Sequence, residues 1–88
     1  MAAYTRETRQ FLQIVDDDNP RWTNERYGPG ETVPVSGIYR CTVCRKEITS
    51  NVDDPFPPQN HHQHSSGNPI SWQLIVRTDT QGNNFGII

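Results

Sequence analysis

Three stretches of the chain carry the alternation of a β-strand. In residues 70–78 (ISWQLIVRT), Trp72, Leu74 and Val76 fall on one face, with Ile70 at the start. Ser71, Gln73 and Arg77 fall on the other, and Ile75 breaks the rule. Period-two alternation among β-branched and aromatic residues predicts a half-buried strand. Residues 36–41 (SGIYRC) predict a second strand, with Pro34 and Gly37 punctuating its start. Residues 46–51 (KEITSN) predict a third, and the short span between Cys41 and Cys44 turns the chain between these two.

Elsewhere the pattern is weaker. Tyr4, Phe11, Leu12 and Val15 share a helical face, although FLQIV at 11–15 also alternates like a strand. A short N-terminal helix is the favoured reading. Asp16, Asp17 and Asp18 sit at its C-terminal end, where negative charge opposes the helix dipole. The runs YGPGETVP (27–34) and VDDPFPPQN (52–60) hold too much Pro and Gly for regular structure and serve to position the segments after them. Residues 79–88 (DTQGNNFGII) read as a polar loop and a short apolar tail. The expected organisation is an N-terminal segment (1–27), a core domain (28–78) and a C-terminal tail (79–88).

Composition sharpens this reading. Only 32% of the 88 residues are hydrophobic, and Leu, Ile, Val and Phe make up about a fifth of the chain. Burial on that scale barely offsets chain entropy, so a covalent or metal staple is expected to help the core. Eight basic and ten acidic residues give a net charge of −2, which argues against a general binder of phosphate backbones. No apolar run approaches a membrane span, and MAAYTRETRQ lacks the apolar stretch of a signal peptide. A cytoplasmic location is therefore expected. There the two cysteines would stay reduced.

One constellation carries chemistry. Cys41-Thr42-Val43-Cys44 has C-x-x-C spacing, and His61-His62-Gln63-His64 follows after sixteen intervening residues. His61 and His64 repeat the two-residue gap, so the pair of pairs reads as a Cys2His2 zinc site. Zinc favours a tetrahedron of thiolate and imidazole donors, and two thiolates neutralise its charge. Binding would add folding free energy on the order of 10 kcal/mol. The competing readings are a redox pair for the cysteines and a solvated polar loop for HHQH. A thioredoxin-like fold needs βαβ units, and none is evident.

Two features depart from a regular zinc knuckle. Arg45 stands where Gly is usual, because the turn there favours positive φ. The histidines are two residues apart rather than three to five. A catalytic zinc would need an open position and a general base, and no H-E-x-x-H pattern is present. Glu47, Asp53 and Asp54 are read as solvated surface charge.

The residues Gly30, Glu31, Pro34, Ser36, Gly37, Tyr39, Cys41, Cys44, Phe56, Pro57, Pro58 and Trp72 together resemble a group of small bacterial zinc-ribbon-like proteins. The likeness runs from Gly28 to Val76, about half the chain. It implies a rubredoxin-like or zinc-ribbon antiparallel sheet and says little about activity. Those relatives more often place cysteines soon after the Pro-Pro. Here Gln59 and then histidines follow, so His62 stands as an alternative ligand to His61. Tyr39, Phe56 and Trp72 are expected to pack beside the site as core.

The sequence thus predicts a small, mostly β, metal-stapled fold with one zinc per chain on Cys41, Cys44, His61 and His64. The expected function is non-catalytic: a monomeric protein-interaction or accessory module. A nucleic-acid-binding ribbon, using Arg40, Arg45 and Lys46, is the first alternative. A metal-dependent or redox enzyme is the second.

Overall fold

The computed structural model describes residues 1–15, 25–58 and 68–83. Within them lies a small, mostly β fold built on one three-stranded antiparallel sheet. The strands are β1 (Gly37–Cys41), β2 (Glu47–Ser50) and β3 (Trp72–Arg77), in the order β2-β1-β3. Each lies within one of the three alternating stretches. β1 occupies the centre because its short hairpin to β2 and its pairing with the distant β3 use opposite edges.

Alternation decides what is buried. Tyr39 and Cys41 of β1 and Trp72 and Leu74 of β3 point into the core, joined by Ile70, Val33 and Phe56. Tyr27, Val35, Cys44 and Ile48 pack around its rim. The aromatics interlock: Phe56 stacks on Tyr27 at a centroid distance of 5.4 Å and receives Tyr39 edge-on at 4.9 Å. Such pairs add to simple area burial. The Tyr39 hydroxyl donates to the Val35 carbonyl at 2.6 Å, so its polar end is satisfied despite burial.

Val76 does not continue the buried row. Ile38 pairs with Val76 but Tyr39 pairs with Leu74, so a bulge on β3 leaves Ile75 as the extra residue. The bulge moves Val76 to the face shared with Ile38, and Val76 is only half-buried. Gly37 makes the close approach workable. A Cβ at Gly37 would fall onto the Val76 carbonyl oxygen and crowd Leu74.

The Pro- and Gly-rich runs form no long element, yet they are tied together. Phe56 N–H donates to the Glu31 carbonyl and Val33 N–H to that of Asp54, both at 2.8 Å. These bonds set Phe56 and Val33 into the core from outside the sheet. The N-terminal segment forms one turn of 3-10 helix, Thr8–Phe11, with no buried residue. Tyr4, Phe11, Leu12 and Ile14 are exposed. The expected short helix is thus reduced to one turn, because no face of it reaches the core and isolated short helices are marginal. Among the described residues, no helix is long and apolar enough to cross a membrane.

Candidate metal centre

Cys41 is the last residue of β1 and is fully buried. Cys44 is half-buried against the same core, and neither cysteine is disulfide-bonded. The turn between them is pinned from three sides. Arg45 N–H donates to the Cys41 carbonyl at 3.0 Å, and Cys41 N–H donates to that of Lys46 at 2.7 Å. Thr42 N–H donates to the Ser71 carbonyl of the chain entering β3 at 2.9 Å. Arg45 adopts φ +70°. This is the left-handed step expected after the second cysteine of a knuckle, taken here by a residue other than glycine.

This half of the site fits a thiophilic metal. Two thiols flank one tight turn, one at the floor of the core and one at its rim. They offer soft sulfur donors shielded from bulk water, as zinc prefers. The other half of the expected set, His61 and His64 with His62 as the alternative, lies outside the described residues. Among the described residues, no group of three or more His, Cys, Asp or Glu could hold a metal. Chain length allows the halves to meet. Six residues lie between His64 and Ser71, which bonds beside Cys41 at Thr42, and the seven backbone steps reach up to roughly 25 Å.

The acidic residues near the knuckle divide. Asp53 and Asp54 are exposed, and their backbone N–H groups close the loop onto Val33 and Asn51. Glu47 is less solvated than a surface charge, with 19% of its side chain exposed. It pairs across the sheet with Arg40, and its Oε2 lies 3.1 Å from the Met1 ammonium. Arg45 and Lys46 are exposed beside the cysteine turn, and Arg40 is half-buried.

Sequence reasoning missed Tyr27. It pairs with Trp72 through two backbone bonds, Tyr27 N–H to Trp72 at 3.0 Å and the reverse at 2.8 Å. A lone bridging residue in a Gly- and charge-rich stretch has no periodicity to betray it. Its aromatic ring was the only available signal.

Protein L of Escherichia coli is 69% identical to this chain over 87 residues, covering 99% of each sequence. The chain belongs to the Protein L family. The match spans 99% of this chain, the stretches that form the sheet and core among them. Its name specifies no ligand and no reaction. No family model matches the chain, and no solved structure matches it.

Proposed function

We propose that this protein is a non-catalytic, cytoplasmic zinc-binding module of the zinc-ribbon or rubredoxin-like type. One zinc per chain is held by Cys41, Cys44, His61 and His64, and the module serves protein interaction or an accessory role. The observation that carries this reading is the cysteine turn. Cys41 and Cys44 share one core-facing turn that steps through φ +70° at Arg45. Bound there, zinc would act as a structural cross-link, tying the β1–β2 hairpin to the chain that leads into β3. The sparse aliphatic core supports the same reading, since small folds often need such a staple.

Native mass spectrometry of protein prepared without added metal tests the proposal. One zinc per chain is expected, and chelation is expected to collapse the amide dispersion of the sheet. A protein that carries no metal, or that keeps its spectrum after verified metal removal, excludes the reading.

The exposed Arg45 and Lys46 favour a second reading, contact with nucleic-acid phosphates beside the knuckle. Oligonucleotide binding that weakens steeply with salt would support it.

A further inference from the structure

The sheet has two edges, and among the described residues that of β2 is open along its whole length. Tyr27 exchanges both backbone bonds with Trp72 and so covers the first residue of β3. On the other side, the ladder itself shows which groups of β2 point away. Cys41 bonds to Lys46, and from there the pairing alternates. Lys46, Ile48 and Ser50 therefore turn their backbone groups toward β1, while Glu47 and Thr49 turn theirs outward. Among the described residues, no backbone bond satisfies those outward groups. A groove of about 510 Å³ runs beside them, lined by all four residues of β2 and by Asn51, Asp54, Pro55 and Pro57. The two prolines bring no N–H that could close the edge from within.

We propose that this edge pairs antiparallel with the same edge of a second copy, about a two-fold axis at Ile48. The register comes from the strand itself. Outward groups must meet outward groups, so Glu47 lies opposite the partner's Thr49 and Thr49 opposite the partner's Glu47. Four backbone bonds form, and Ile48 meets the partner's Ile48 on the core-side face. Lys46 then faces the partner's Ser50. No two like charges stand directly opposite one another. A slip of one residue sets outward groups against inward ones. Slipping by two in one direction places Glu47 opposite the partner's Glu47, which is repulsive, and in the other it leaves Thr49 opposite the partner's Thr49 as the one outward pair within β2, with two bonds in place of four. The strand is thus self-complementary in one register. This departs from the monomer expected from the sequence, and it does not depend on the metal reading.

Sedimentation equilibrium of the full chain tests it. A reversible dimer is expected, with a dissociation constant on the order of 0.1 mM for so short a strand. In the dimer the amides of Glu47 and Thr49 gain protection from hydrogen exchange as concentration rises. Thr49→Glu places a carboxylate opposite the partner's Glu47 twice, and is expected to weaken association by about tenfold. The double variant Glu47→Lys with Thr49→Glu sets an ammonium opposite each carboxylate and restores it. Thr49→Pro removes an outward donor that β1 does not use, and also weakens association. In each variant, unchanged amide signals from Tyr39 and Trp72 show that the fold is intact. A chain that stays monomeric to about 1 mM overturns the proposal. So does a dimer indifferent to both Thr49→Glu and Thr49→Pro.

Discussion

At Arg45 a long, charged side chain occupies a backbone conformation that costs a non-glycine residue about 1–2 kcal/mol. Two backbone bonds hold it there, Arg45 to Cys41 and Cys41 to Lys46. The consequence is a cysteine turn that does not rely on glycine, with Cys41 at the bottom and Cys44 at the lip. In the proposed site the four ligands are not equivalent to their neighbours. Cys41→Ser and Cys44→Ser should each cost about 4 kcal/mol or more, because each removes both a donor and a negative charge from the metal. His61→Ala and His64→Ala should cost more than His62→Ala, as the repeated two-residue spacing implies. Chemical denaturation of these variants gives the costs, and imidazole nitrogen shifts identify the bound histidines. A coordinated His62 with an uncoordinated His61 would show that the register after Pro58 governs the choice. That Cys41 and Cys44 share one turn was legible in the sequence because C-x-x-C spans only four residues. The conformation at Arg45 was not, because arginine gives no sign of positive φ.

Among the elements, the strands were readable and their register was not. Alternation depends on neighbours two residues apart, so ISWQLIVRT, SGIYRC and KEITSN announced themselves. The bulge on β3 depends on how β1 docks across it, which no local pattern encodes. That is why Val76 was expected in the buried row and instead pairs with Ile38. Ile75, the residue that broke the alternation, marks the place. Gly37 pairs with Arg77 next to this irregularity, where its missing Cβ lets the Val76 carbonyl come close. Gly37→Ala should therefore destabilise the fold by about 2–3 kcal/mol, as overpacking against backbone does. The obstacle is a main-chain atom, so no rotamer change can relieve it. Thermal unfolding would measure the loss. A neutral or stabilising Gly37→Ala would mean that β3 shifts freely past β1, and the bulge would then have no structural hold.

For the molecule as a whole, the limits of the core decide which parts fold together. The N-terminal turn buries nothing, and its large apolar side chains face solvent. Tyr27 is different. It lies one residue ahead of the domain start drawn from the sequence, yet it stacks on Phe56, meets Tyr39 edge-on at 6.1 Å and bridges to Trp72 at the start of β3. Its hydroxyl donates to Glu25 Oε2 at 2.6 Å, which draws the boundary back further. A fragment of residues 25–83 should keep the full-length amide shifts of Tyr39, Phe56 and Trp72 in the presence of zinc. A fragment of residues 28–83 loses the stacked ring and two backbone bonds, and should be less stable by about 2–3 kcal/mol. Comparing the two by urea unfolding isolates Tyr27 and its tether from everything upstream. Equal stability would place Tyr27 outside the cooperative unit. Failure of residues 25–83 to fold with zinc present would instead assign part of the core to the chain ahead of Glu25, where the sequence pattern is weakest.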